Sequence, residues 1–313
     1  MNLREKTILL LAVVGLAGMG CKNNTATAPN ADHPLAFTIG GDIGSGFNDL
    51  NAPLGLCVDG SDNLYVADYG NNRIKQYNSA GTCLKTWSQA AASATNVSVT
   101  INHPYGLAMD NGGNILEVDN GGAQIQQLST AGALLNKWGS AGTAAGSFND
   151  PLWIAVNSGG SIYVSDGDNF RVQYFTAPNA FGGFLGSSCT CNALGEYYQT
   201  PTGIAFDSSN NAYVGDLGND RIEVFDNTGA PVTTWGAGKF ITVNGMAFDR
   251  SGNLLAVDTG ARKILKFNST GSLVDSWTLD SLAEPIDVAV DSTGAIWVSY
   301  QDATQAFLAK FAH

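Results

Sequence analysis

One pattern recurs six times along this chain of 313 residues. It runs Pro-x-Gly, apolar, Ala, apolar, Asp, then a short Gly/Asn turn. Leu-Tyr-Val-x-Asp follows, then Gly-Asn-x-Arg and an apolar residue. Copies stand at PLGLCVDGSDNLYVADYGNNRI (53–74), PYGLAMDNGGNILEVDNGGAQI (104–125) and PLWIAVNSGGSIYVSDGDNFRV (151–172). Three more stand at PTGIAFDSSNNAYVGDLGNDRI (201–222), VNGMAFDRSGNLLAVDTGARKI (243–264) and PIDVAVDSTGAIWVSYQDA (285–303). Each copy holds two alternating apolar runs bounded by turn residues, the mark of two β-strands. Such a unit cannot bury its apolar face alone, so the copies must stack or arrange radially around a shared core. No segment has the long 3.6-residue apolar period of a substantial helix. Charged residues make up only 13%, and 38 glycines supply tight turns.

Each repeat extends to four strands. A third strand follows the Arg position (73–77), and a fourth follows a Gly turn (84–87). The fourth strands carry Trp87, Trp138, Trp235 and Trp277, whose repeated place points to packing between sheets. Spacings from the Pro or its equivalent are 51, 47, 50, 42 and 42 residues, and the longer ones carry insertions at Gln89–Val99 and Gly186–Tyr198, read as loops. The last repeat stops after a third strand at AFLAKF (306–311). IGGDIGSGFNDLNAP (39–53) parallels WGSAGTAAGSFNDP (138–151), so LAFTIGG (35–41) is expected to be the missing outer strand of the last sheet. That pairing closes a ring and leaves no exposed edge at the joint.

NLYVADYGNNRI (63–74), with GNDRI (218–222) and DGDNFRV (166–172) as variants, resembles the NHL repeat. The chain is similar to NHL-type β-propellers over residues 35–313. The resemblance implies an all-β fold, a six-bladed β-propeller of four-stranded blades around a central channel. The last copy departs most: Tyr300 stands at the repeated Asp, and no Arg follows.

Residues 1–20 read as an export signal rather than part of the fold. Arg4 and Lys6 precede the uncharged run Thr7–Gly20, too short to span a bilayer comfortably. Cys21 follows at once, after Gly20, and resembles the lipidated first residue of a bacterial lipoprotein. The alternative is a plain secretory signal cut after Ala28. Residues 21–34 read as a flexible linker and 35–313 as the propeller. Loss of Arg4, Lys6 and Glu5 takes the net charge from −12 to −13. The expected location is the bacterial cell envelope, membrane-anchored through Cys21, or secreted or periplasmic under the alternative. Export places Cys57, Cys83, Cys189 and Cys191 in an oxidising compartment. Cys57 and Cys83 belong to first and fourth strands, too far apart for a bond. A local Cys189–Cys191 disulfide is compatible with the loop there, whereas a metal site lacks a second Cys or His pair.

Fifteen Lys and Arg against 27 Asp and Glu argue against nucleic acid, which needs a basic face. Because strands alternate in direction, loops from fourth to first strands and from second to third strands emerge on one face. Residues around each Pro therefore ring the channel mouth there. Before it come Ala52, His103, Asp150, Thr200, Thr242 and Glu284; after it come Leu54, Tyr105, Leu152, Thr202, Asn244 and Ile286. Trp153 and Asp287 replace the usual Gly. The departures from the repeat are His103, Tyr105, Asp150, Trp153, Asn244, Glu284 and Asp287. They are the candidate ligand-binding set, since loops on a rigid scaffold carry sites.

The repeated carboxylates Asp68, Asp119, Asp166, Asp216 and Asp258 are expected to be structural. They can accept N–H groups of the following turn and pair with Arg73, Arg171, Arg221 and Lys263. Two propeller enzyme families provide a contrast. NHL-type peptide-amidating lyases hold zinc with several histidines, but residues 35–313 contain only His103 and His313. Gluconolactonase-like propellers hold calcium with Glu, Asp and Asn at the mouth. Asn244 matches one such position, while Leu54, Tyr105, Leu152, Thr202 and Ile286 stand at its equivalents. A partial cage from Asp150, Asn244, Glu284 and Asp287 is the one calcium alternative to a cofactor-free protein. The reading is a monomeric, envelope-anchored module that binds a peptide, glycan or partner protein at the mouth. The alternative is a metal-assisted lyase or lactonase with an atypical site.

Overall fold

The repeated turn word acts through its Asp. Asp59 Oδ1 accepts the N–H groups of Ser61 and Asn63 at 2.8 and 2.9 Å. Asp110, Asp207, Asp249 and Asp291 do the same in their own repeats. This side-chain turn reverses the chain and sets the hairpin between first and second strands.

The structure, a computed structural model, describes residues 33–88, 96–186, 198–278 and 284–312. The expected signal, Cys21, most of the linker, Cys189 and Cys191 lie outside the described residues. Six antiparallel meanders follow one another. Blade one comprises Pro53–Val58, Leu64–Asp68, Arg73–Tyr77 and Cys83–Ser88, from the channel outward. Blades two to five begin at Pro104, Pro151, Pro201 and Val243 and repeat the order. Blade six comprises Glu284–Val290, Ile296–Gln301, Gln305–Phe311 and, outermost, Leu35–Asp42. The amino-terminal strand thus closes the ring, with Leu35 opposite Phe311 and Asp42 opposite Gln305. Phe37 and Ile39 enter a core cluster with Trp297 and Leu308 of blade six and Leu56 and Leu64 of blade one.

The core lies between blades. Trp87, Trp138, Trp235 and Trp277 are all buried, as their repeated place requires. Trp87 packs with Ile74 and Ala67 of its own blade and Leu107 and Ile115 of the next. Near the channel the innermost strands nearly touch. A Cβ on Gly55 would stand 2.3 Å from the Tyr105 carbonyl oxygen, and one on Gly203 would stand 2.3 Å from that of Asn244. That approach explains the repeated Gly.

Two expectations need correction. The insertion after blade one is not wholly loop: Asn96–Ser98 pairs parallel to Cys83–Ser88 as a fifth strand. His33, expected in the linker, belongs to the folded body. Its ring stacks on Trp277 at 4.0 Å, and its Nε2 lies 2.9 Å from Asp275 Oδ2. Cys57 and Cys83 are free thiols.

Candidate functional site

On one face, here the upper, the two loop sets interlock. The N–H groups of Tyr69 and Gly70 donate to the carbonyls of Ala52 and Asn51 at 3.2 and 2.8 Å; blades two to four copy both contacts, and blade five copies the first through Thr259 and Thr242. Beneath it the repeated carboxylates are buried. Each accepts the backbone N–H of the residue 17 positions earlier: Asn51, Asn102, Asn149, Gln199 or Ile241. They latch the incoming connection, a structural role. Arg73, Arg171 and Arg221 pair with Asp68, Asp166 and Asp216 at 2.6, 2.7 and 3.3 Å. Burial pushes these three carboxyls up, against the pull of the guanidinium and hydrogen-bond donors. Donation from the following turn holds for Asp119 and Asp258, through Gly122 and Ala261. Lys263 makes no ion pair with Asp258, which is served by backbone donors.

The seven candidate residues divide into a rim and a plug. His103, Asp150 and Glu284 are half-buried on the rim. His103 and Asp150 have left-handed backbone, φ 54 and 57, as do Ala52 and Thr200 at equivalent places, so the geometry belongs to the repeat. The His103 ring lies 4.7 Å from that of Tyr69. Asp150 Oδ1 accepts from Asn120 Nδ2 at 2.8 Å, and burial pushes its carboxyl up. Glu284 stands 3.8 Å from Arg262.

The other four are not at an open mouth. Tyr105 and Trp153 are 7% and 4% exposed, with ring centroids 4.9 Å apart. They share one cluster with Leu54, Leu152 and Ile286, side chains from blades one, two, three and six. The apolar residues expected to ring a channel instead fill it. Trp153 takes a Gly position, so its indole extends into that plug. Asp287, also at a Gly position, accepts the N–H groups of Leu56 at 2.7 Å and Val288 at 2.8 Å. Burial pushes its carboxyl up to about 7, against those donors and the nearby Trp153 indole. The indole N–H completes no hydrogen bond. Asn244 is buried, donating from Nδ2 to Thr259 Oγ1 at 2.6 Å, and that hydroxyl donates to the Pro285 carbonyl.

Sequence reasoning overlooked the residue after each repeated Asp. Tyr69, Asn120 and Thr259 meet His103, Asp150 and Asn244 respectively. The signal was present, because Tyr69, Asn120, Gly167, Leu217, Thr259 and Gln301 share no chemistry although the Asp before most of them repeats. A cleft of about 550 Å³ also opens on this face between blades one and two. Ser45, Asn72, Arg73, Ser88, Thr100 and Asn102 line it, and Asn72 Oδ1 accepts the His103 backbone N–H at 2.8 Å. Arg73 spends its donors on Asp68 and the carbonyls of Ser45, Gly46 and Asp49, so the cleft is polar without a spare guanidinium. Among the described residues, no group of three or more His, Cys, Asp or Glu is placed to hold a metal ion.

The NHL-repeat family model matches residues 50–77 and 148–175. This chain is a six-bladed β-propeller that carries NHL repeats at those two places. Solved structures resemble the propeller at low identity. A streptogramin B lyase is 15% identical, over 83% of this chain and 93% of that one, with a TM-score of 0.56. A catalytically inactive virginiamycin B lyase from Staphylococcus aureus with quinupristin is 13% identical, over 83% and 94%, at 0.57. A gluconolactonase from Xanthomonas campestris is 14% identical, over 93% and 100%, at 0.61. At such identities the likeness concerns the fold. No curated protein matches the sequence.

Proposed function

We propose that this NHL-repeat propeller is an exported interaction module. It holds a peptide, glycan or protein partner on its upper face, seated in the cleft between blades one and two and flanked by His103. The supporting observation is a contrast: Tyr105 and Trp153 fill the channel, while a polar cleft opens beside it. Asp150 and Glu284 on the rim, and a net charge of −12, favour neutral or cationic partners. Nucleic acid is disfavoured for the same reason. Ligands selected on immobilised glycan and peptide arrays supply the test. Asn102→Trp places an indole in the cleft from an exposed position and is expected to weaken such ligands at least tenfold with the fold intact. Unchanged binding overturns the assignment.

The second reading, a metal-assisted lyase or lactonase, draws on the fold relatives. It requires Asp150, Asn244, Glu284 and Asp287 to turn oxygens toward one ion. Asp287 instead spends both oxygens on backbone N–H groups, and Asn244 bonds Thr259.

The export proposal places the lipid anchor at Cys21 and the monomeric propeller in the cell envelope. Cys21→Ser is expected to move the protein from membranes to the soluble fraction. A soluble wild type beginning near Asn30 sinks the anchor.

A further inference from the structure

The cleft between blades one and two is closed to the usual ways of holding a peptide. Strand addition needs a bare sheet edge, and the edge of Cys83–Ser88 that ends at the cleft is taken. Asn96–Ser98 pairs with Thr86–Ser88, and the Val99 N–H donates to the Ser88 carbonyl at 2.9 Å. A helix or a proline-rich segment needs an apolar or aromatic groove, and an acidic motif needs a cluster of arginines. Among the described residues, the lining holds no aromatic ring and no carboxylate, and its one aliphatic side chain is the buried Ile101. Its one cation is Arg73, already bonded to Asp68 and to three backbone carbonyls.

What the lining does offer is neutral and polar. Val99 and Ile101 turn into the core cluster with Trp87, and Thr100 and Asn102, alternating with them, are exposed on the cleft. Ser45 and Asn72 are exposed on it as well. Ser45, Thr100 and Asn102 hydrogen-bond to the described residues through their backbones alone, which leaves two hydroxyls and an amide for a ligand. Asn72 Oδ1 accepts the His103 N–H, and its Nδ2 is left to donate. The backbone does not call for an asparagine there. Asn72 has a left-handed φ of 52, but Ala123, Phe170, Asp220 and Arg262 occupy the same place in blades two to five with φ of 49 to 58. Amides and hydroxyls donate and accept without carrying charge, as sugar hydroxyls do.

We propose, resting on the interaction reading above, that the cleft takes a neutral oligosaccharide, whose hydroxyls meet the side chains of Asn72, Thr100 and Asn102. A volume of about 550 Å³ suits a short one. An anionic sugar is disfavoured, because Arg73 is bonded to Asp68 and turns no fork toward it.

The test probes the whole protein on arrays of neutral oligosaccharides, anionic oligosaccharides and peptides, then titrates the bound probes in solution by calorimetry. Neutral oligosaccharides are expected to bind. Asn72→Ala, which installs the residue of blade two, and Thr100→Val are each expected to weaken them by about tenfold, the loss of one or two hydrogen bonds, at an unchanged thermal midpoint. Asn72→Asp, the residue of blade four, removes the Nδ2 donor and adds a negative charge, so it also weakens a neutral sugar, whereas a cationic peptide would gain. Should Asn72→Ala lower the midpoint, Thr100→Val decides alone. Peptides that bind, gain from Asn72→Asp and are lost with Asn102→Trp overturn the glycan and leave the interaction module standing. A preference for anionic oligosaccharides, or no neutral one bound, overturns the glycan as well. Ligands of every class that ignore all four substitutions overturn both readings.

Discussion

Replacing Trp153 by alanine is expected to cost the fold about 3–5 kcal/mol, the usual range for emptying a buried aromatic position. The indole is 4% exposed, and it packs edge-on against Tyr105 inside a cluster that joins blades one, two, three and six. Those blades do not all neighbour one another around the ring, so the plug ties the propeller across its centre. Gly55, Gly106, Gly203 and Gly245 stand at the equivalent positions and bring no side chain to refill the space. The Asp287 carboxyl would lose its neighbouring indole and gain water. Urea unfolding measures the effect as a lower midpoint at unchanged slope. His103→Ala, on the rim, is the control and is expected to stay within about 0.5 kcal/mol. A Trp153→Ala protein as stable as the wild type but unable to bind its array ligands reverses the assignment and makes the indole a contact at an open mouth.

That reversal of role marks where the sequence stopped being legible. Repetition identifies whatever all blades need. The turn Asp, the latch Asp with its Arg, the close-approach Gly and the outer-strand Trp were each readable because several copies agree. Departures from the repeat mark places where the chain differs without telling which way a side chain points. Trp153 and Asp287 both replace Gly; the indole joins the plug, the carboxylate turns onto the backbone of blades one and six, and burial gives both structural duties. Tyr105 reads as a rim aromatic by position, but Leu54, Leu152 and Ile286 at the same level supply the apolar surface that covers it. The cleft between blades one and two could not be read at all. Its walls come from residues near 45, 72, 88 and 101, brought together only when the ring closes.

Closure of the ring has the other large expected effect. Removing residues 1–32 is expected to leave the thermal midpoint within about 2 °C, because the outer strand and the contacts of His33 with Trp277 and Asp275 are kept. Removing residues through Gly41 deletes the outer strand of blade six. Phe311 and its neighbours then present unpaired N–H and C=O groups along the edge of Gln305–Phe311. Phe37 and Ile39, both partly buried, leave the cluster that holds Trp297 against Leu56 and Leu64, each at a fraction of the about 1.5–3 kcal/mol that a fully buried side chain contributes. The His33 ring also leaves Trp277, opening the seam between blades five and six. Together these losses consume much of a margin of about 5–15 kcal/mol. A midpoint lower by about 10 °C or more, with aggregation through the bare edge, is the expected outcome. A synthetic peptide of residues 33–44 adds back the missing strand in trans by the same ladder, and it should recover solubility and part of the midpoint. Equal midpoints for the two truncations, or a peptide without effect on a destabilised ring, mean that some other contact joins the first and last blades.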